Sequence, residues 1–114
     1  MGDRMRAIHR ELNDGRWEKL TFCQQMANVG SEVSRALNWR EKGKKDLSMN
    51  ALKRAFELLD MTIRPEKGYC RLRELLRVRE ALTDFFCGDN EYGSSAILWK
   101  RYFDHFNYAA RRHT

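Results

Sequence analysis

The sequence predicts an all-α protein, a four-helix up-and-down bundle with a short additional N-terminal helix. Two observations carry this prediction. Apolar residues recur at steps of three and four along most of the chain, which is the spacing of helices with one buried side. The connections between the four long segments are short, so consecutive helices become antiparallel neighbours. A helical array with wider crossing angles is the alternative arrangement of the same segments.

Length and composition indicate one soluble domain spanning residues 1–114. The chain is 42% hydrophobic and 33% charged, which is not the composition of a disordered protein, and no apolar stretch is long enough to span a bilayer. The opening residues MGDRMRAIHR lack the apolar stretch of a secretion signal, so we expect a cytoplasmic protein without membrane contact. The net charge of +6 favours acidic proteins or nucleic acid as partners.

Capping residues define the first two predicted helices. The short N-terminal helix covers about residues 3–13, where apolar residues follow helical spacing. The bundle covers about residues 21–112 and begins with TFCQ. This is a capping box, in which Thr21 and Gln24 each accept a hydrogen bond from a backbone amide of the other. Gly43 is expected to end this first long helix.

The other three long helices are bounded by helix-breaking residues. The second runs from about residue 46 to residue 63, because Pro65 disfavours helical geometry at the residue before it. The third runs from about residue 69 to residue 87 and ends before a glycine. The stretch GDNEYGSS is then a loop, and Ser94 or Ser95 can cap the last helix.

The segment MANVGSEVSRALNW places Gly30 in the middle of the first long helix. A glycine there costs about 1 kcal/mol relative to alanine, so we expect close approach of a neighbouring helix or of an aromatic ring. Glu32 and Arg35 share one face and can form an ion pair. A polar binding groove around these two residues is the alternative that we rank below close packing.

The third long helix carries the arginine-rich stretch RLRELLRVRE. Arg73 and Arg77 lie one turn apart on one face, and arginine binds phosphate through paired donors. Acidic residues are interleaved with these arginines, so a solvated face with salt bridges is the favoured interpretation. Contact with a nucleic-acid backbone is the alternative.

The last helix contains KRYFDHFNYAARRH, in which Arg101 and His105 face the same side. This pair loosely resembles the Arg–His motif of HEPN-type helical ribonucleases, in which four to six residues separate the arginine from the histidine. Here three residues separate them, and Tyr102 stands where that motif has a polar residue. The resemblance implies that His105 acts as an acid or base and that Arg101 stabilises phosphate charge. An ordinary surface pair is the favoured alternative.

Aromatic residues are plentiful, with three Trp, four Tyr and six Phe, which is more than one small core holds. We predict that Trp39, Tyr92, Trp99 and Tyr108 lie at an edge or are partly exposed. Exposed aromatic residues together with arginine are typical of protein interfaces. Trp39, Trp99, Tyr102 and Tyr108 are therefore the predicted contact residues.

The cysteines and the remaining histidines are far apart in the sequence. No CxxC pair is present, so neither a disulfide framework nor a zinc site is expected. We expect no cofactor. The residues concerned are Cys23, Cys70, Cys87, His9 and His113.

Four stretches, WEKLTFCQQMANVGSEVSRALNW, KRAFELLDMTI, RLRELLRVREAL and NEYGSS, resemble a family of small prokaryotic all-helical proteins with no established activity. The resemblance covers about residues 13–108. It implies a helical fold and a cytoplasmic, prokaryotic origin, and it implies no catalytic residue.

These patterns favour a non-enzymatic helical bundle that acts by binding. Its expected partner is a second copy of the chain, as a homodimer, or another protein. The alternative is an RNA-binding or HEPN-like RNA-cleaving module that uses Arg73, Arg77, Arg101 and His105.

Overall fold

The computed structural model describes residues 15–112, and this part of the chain is all-helical with no β-strand. Its helices are α1 (Trp17–Lys19), α2 (Phe22–Glu41), α3 (Lys45–Ile63), α4 (Tyr69–Cys87) and α5 (Ala96–Arg112). The all-α class predicted from the sequence is confirmed. The predicted helix over residues 3–13 lies outside the described residues, as do His9 and His113.

The capping signals position the helix ends as the sequence predicts. The Thr21 hydroxyl accepts a hydrogen bond from the Gln24 amide at 3.1 Å, and the Gln24 side chain accepts one from the Thr21 amide at 2.9 Å. Gly43 has φ +73°, the left-handed conformation that ends a helix. The Ser95 hydroxyl accepts from the Leu98 amide at 3.2 Å, which caps α5.

Helices α2 and α3 are antiparallel and are joined by polar contacts along their length. The Ser48 hydroxyl, near the start of α3, donates to the Ala36 carbonyl in the second half of α2 at 2.8 Å. Further along α3, Arg54 donates to Glu32. The contacts therefore move toward the start of α2 as the chain advances along α3.

Helix α4 runs parallel to α2, diagonally across the bundle. At the beginning of both helices the Arg71 guanidinium lies 4.2 Å from the centre of the Phe22 ring. At the end of both helices the Arg40 guanidinium lies 4.4 Å from the centre of the Phe85 ring. Arginine in this position over an aromatic ring contributes a cation–π attraction.

Helix α5 is antiparallel to α2. Phe106, in its second half, contacts Phe22 edge to face with 5.8 Å between ring centres. Lys100, near its start, lies 4.0 Å from Glu41 at the end of α2. The four long helices thus run up, down, up and down, as the sequence predicts.

The core lies between the four long helices, and α1 closes one end of it. Trp17 in α1 is buried, and its Nε1 donates to the Thr62 hydroxyl at 3.2 Å. Trp17 was not among the residues predicted to have a structural role. The largest fully buried side chains are those of Met26, Val29, Val33, Leu37, Leu52, Leu59, Leu75 and Leu82. Within residues 15–112, no helix combines the length and the apolar character needed to cross a bilayer.

Candidate interaction surface

The backbone of Gly30 in α2 lies directly against Phe103 in α5. A Cβ atom placed on Gly30 would lie 2.6 Å from the Phe103 Cβ and within 2.9 Å of two ring atoms. No side chain larger than hydrogen fits this approach without displacement. The close packing predicted around Gly30 is therefore confirmed, and an aromatic ring is the neighbour that requires it.

The polar residues beside Gly30 belong to the α2–α3 contact. The Glu32 carboxylate accepts from Arg35 at 3.3 Å, which confirms the predicted pair. It also accepts from Arg54 of α3 at 2.8 Å. This second partner was not predictable from local spacing, because Arg54 is 22 residues away in the chain.

A groove with a volume of about 210 Å³ runs between α2 and α5. Trp99 lines it, and the predicted exposure of this residue is wrong, since only 6% of it is exposed. Trp99, Phe103 and Phe106 follow the i, i+4, i+7 spacing, which places all three on the buried side of α5. The Trp99 Nε1 is buried, and no acceptor within residues 15–112 reaches it.

The other predicted edge aromatics are where the sequence indicates. Tyr92 and Tyr108 are exposed. Trp39 is half-buried, with the Lys42 ammonium 5.4 Å from its ring centre. Tyr102, a predicted contact residue, is also half-buried.

The arginines of α4 divide between the interior side and the outer side of the helix. Arg79 donates two hydrogen bonds to the Asp60 carboxylate, at 2.8 and 3.3 Å, and lies over the Phe56 ring. The hydrogen bond to Asp60 raises the pKa of Arg79. Arg73 and Arg77 are exposed, so these two remain available to a partner.

One hydrogen bond between α4 and α5 brings the predicted basic residues to a common surface. The Tyr102 hydroxyl donates to the Glu74 carboxylate at 3.1 Å, and burial, together with Glu74, raises the pKa of Tyr102. Arg73 stands one residue before Glu74, and Arg77 stands three residues after it. Arg101 and His105 have the same positions relative to Tyr102.

On two antiparallel neighbouring helices, residues at equal sequence offsets from a hydrogen-bonded pair lie on the same side. All four of these basic residues are exposed, so that side is the outer one. The sequence alone did not establish whether the two pairs meet, since they lie on different helices.

Exposed apolar side chains collect on the same two helices. Within residues 15–112, seven large hydrophobic side chains are exposed, and all but Met49 of α3 belong to α4, α5 or the loop between them. These six are between 49% and 74% exposed. We call the surface that they form with the four basic residues the α4–α5 face: Tyr69, Arg73, Leu76, Arg77, Tyr92, Ile97, Leu98, Arg101, His105 and Tyr108.

The loop between α4 and α5 holds Tyr92 against this face. The Asp84 carboxylate accepts from the backbone amides of Glu91 and Tyr92 at 2.9 and 3.0 Å, which fixes the loop to the end of α4. The negative charge of Glu80 raises the pKa of Tyr92, and Arg77 opposes it. Tyr92 therefore lies beside the exposed side of α4 and extends it.

Four apolar members of the α4–α5 face were not predicted to be exposed: Tyr69, Leu76, Ile97 and Leu98. A signal for two of them was present. Ile97 and Leu98 lie four and three residues before Arg101, on the polar side of α5, whereas Trp99 begins the apolar stripe.

Among residues 15–112, no three His, Cys, Asp or Glu side chains lie close enough together to hold a metal ion. No family model, curated protein or solved structure matches this chain. The two resemblances noted from the sequence therefore stay predictions.

Proposed function

We propose that this protein acts by binding rather than by catalysis, and that its principal partner is a second copy of the chain held against the α4–α5 face. The observation that carries this proposal is the concentration of exposed apolar side chains on α4, α5 and their loop. Scattered exposed apolar residues are normal on a monomer, whereas a contiguous set on one face is typical of an interaction site.

The composition of the α4–α5 face supports a protein partner. Tyrosine and arginine are the residue types that contribute most binding energy in protein interfaces. The face has three tyrosines, and arginines stand between its aliphatic side chains. A two-helix surface can also reach the roughly 800 Å² per partner of a standard stable interface.

The test is whether surface variants still form a dimer, judged from their mass in solution. Leu76→Asp and Ile97→Asp each introduce a charge into the apolar part of the face, and we expect each to weaken dimerisation at least tenfold in light scattering after size exclusion. Met49→Asp is the matched control, since Met49 is 44% exposed but lies on α3. Helical content, measured by circular dichroism, should stay the same in all three variants because the sites are exposed.

Two results would contradict self-association through this face. One is a wild-type chain that stays monomeric at every concentration. The other is a dimer whose dissociation constant is the same in Leu76→Asp and Ile97→Asp as in Met49→Asp.

A second function, binding of single-stranded RNA, is supported by the Glu74–Tyr102 hydrogen bond. Through it Arg73, Arg77 and Arg101 lie on one surface with exposed tyrosine rings nearby, and bases stack on such rings. RNA cleavage with His105 as acid or base is the stronger form of this proposal.

Salt dependence distinguishes RNA binding from apolar self-association. Affinity for a labelled single-stranded RNA should fall steeply between about 50 and 200 mM salt, and Arg73→Gln and Arg101→Gln should each reduce the slope. Arg64→Gln, an exposed arginine after α3, is the control. Affinity that is independent of salt, or equal losses in all three variants, would contradict the RNA proposal. Retained cleavage in His105→Ala would contradict its catalytic form.

We also propose a cytoplasmic, prokaryotic setting for this binding function. The resemblance to the family of small prokaryotic helical proteins supports it, as do the three free thiols, which are typical of a reducing compartment.

A further inference from the structure

The charges on the exposed side of α4 follow an order that can complement itself. Arg73 and Glu80 are both exposed and stand seven residues apart, close to two helical turns, so they share one stripe of the helix. Leu76 lies between them and is also exposed. The stripe thus has a positive group on the N-terminal side of an apolar residue and a negative group on the other side.

An isologous contact requires that if one residue touches a second on the partner, the second touches the first in return. Arg73 and Glu80 are nearly equidistant from Leu76. When two copies of α4 lie antiparallel with Leu76 at the two-fold axis, each Arg73 therefore lies opposite Glu80 of the partner subunit. Two opposite-charge pairs then flank a Leu76–Leu76 contact.

The opposite orientation is disfavoured by the same charges. If the two-fold axis ran parallel to α4, each Arg73 would lie against Arg73 of the partner subunit, and each Glu80 against its equivalent. Like charges opposed in an interface disfavour association. Arg77, near the axis in the antiparallel arrangement, stands three residues before Glu80 on the same side of α4, so an acidic group of its own chain lies near its charge.

We propose, building on the self-association proposed above, that the second copy docks antiparallel along α4 about a two-fold axis near Leu76, with Arg73 of each copy paired with Glu80 of the other. Tyr69, at the start of α4, then reaches the end of the partner's α4. The partner's Tyr92 lies there beside Glu80, so an aromatic contact closes each end of the interface.

Mixing two charge variants tests this register. Arg73→Glu and Glu80→Arg each place like charges opposite one another in a homodimer, and we expect each to weaken dimerisation at least tenfold. In an equimolar mixture the two variants have complementary charges, so heterodimer affinity should return to within about threefold of wild type. The measurement is the dissociation constant from sedimentation equilibrium.

Cross-linking tests the two-fold axis independently. The background variant carries Cys70→Ser and Cys87→Ser, because both of these thiols are exposed. In that background Leu76→Cys should form a disulfide-linked dimer under mild oxidation, since a residue at the axis meets its own copy. Met49→Cys on α3 is the control and should stay monomeric under denaturing conditions.

The outcomes separate this proposal from the broader one. A dimer that shows neither charge rescue in the mixture nor Leu76→Cys cross-linking would overturn the antiparallel register while leaving self-association intact. A wild-type chain that is monomeric at every concentration would overturn both. Charge rescue together with cross-linking at Leu76 alone would establish the register.

Discussion

Gly30 of α2 lies directly against Phe103 of α5: a Cβ on the glycine would lie 2.6 Å from the Cβ of the phenylalanine. The contact explains why a residue that disfavours helices occupies the middle of a 20-residue helix. It also fixes where α5 lies on α2, and therefore where the α4–α5 face points.

Gly30→Ala should destabilise the protein although alanine is the better helix former. The gain in helix propensity is about 1 kcal/mol, whereas overpacking costs about 1–3 kcal/mol. Because the clash involves Phe103 close to its backbone, we expect a net loss of about 1–2 kcal/mol in the free energy of unfolding, measured by urea denaturation. Ser31→Ala, at the exposed neighbouring position, is the control and should change stability by less than about 0.5 kcal/mol. A Gly30→Ala variant more stable than wild type would refute the packing account.

The two arginines bound to Glu32 should differ in what they contribute. Arg54 crosses from α3 to bond Glu32 at 2.8 Å, and its side chain is 21% exposed; Arg35 is 62% exposed and bonds at 3.3 Å. We expect Arg54→Gln to lower the free energy of unfolding by about 1.5–3 kcal/mol and Arg35→Gln to lower it by about 0.3–0.5 kcal/mol. Equal effects of the two substitutions in urea denaturation would contradict this.

The two buried tryptophans should respond differently to replacement by phenylalanine. Trp17 loses its hydrogen bond to the Thr62 hydroxyl, whereas Trp99 loses an Nε1 donor that has no acceptor among the described residues. Removing an unpaired buried donor offsets part of the lost packing. Trp17→Phe should therefore be the more destabilising by about 1–2 kcal/mol in thermal or urea unfolding. The reverse order would mean that the Trp99 donor is satisfied in solution.

Tyr102 should make stability depend on pH in the alkaline range. Burial and Glu74 raise the pKa of Tyr102 above the ordinary tyrosine value of 10.0. The folded chain therefore keeps a proton that the unfolded chain loses. The resulting stabilisation is complete below about pH 10 and is lost as the pH rises from there toward the folded pKa.

Replacing Tyr102 by phenylalanine tests this dependence. The free energy of unfolding of Tyr102→Phe should fall less steeply than that of wild type between about pH 9 and pH 11. Tyr69→Phe, at an exposed tyrosine of α4, is the control and should keep the wild-type slope. Parallel pH profiles for wild type and Tyr102→Phe would contradict the role assigned to the Glu74 bond.

Helix ends were predictable from the sequence because their signals are local. The capping box at Thr21 and the left-handed Gly43 each define a helix end through neighbouring residues, and the structure has those ends. Helix α3 also ends before Pro65 as predicted, but Arg64 keeps helical dihedrals (φ −53°, ψ −47°), so the end comes from the N–H that proline lacks and not from the geometry of the preceding residue. Gly30 likewise predicted a close contact, because a propensity cost at one position requires compensation there.

Features that depend on residues distant in the chain were not predictable in this way. Trp99 was predicted to lie at an edge because the chain has more aromatic residues than one small core holds, but its spacing with Phe103 places it inside. The pairing of Arg79 with Asp60 and of Glu74 with Tyr102 depends on which helices are neighbours. For the same reason the sequence identified Arg73 and Arg101 as candidates but did not bring them onto one surface.

The most direct test of self-association through the α4–α5 face is sedimentation equilibrium of the wild-type chain over about 1–100 μM. We expect the mass to approach twice the chain mass of 13.6 kDa as concentration rises. We also expect the dimer to lose much less affinity with rising salt than an RNA complex would, because ion pairs are only part of the proposed contact. A mass of 13.6 kDa over the whole range would contradict the account and leave RNA as the partner to examine.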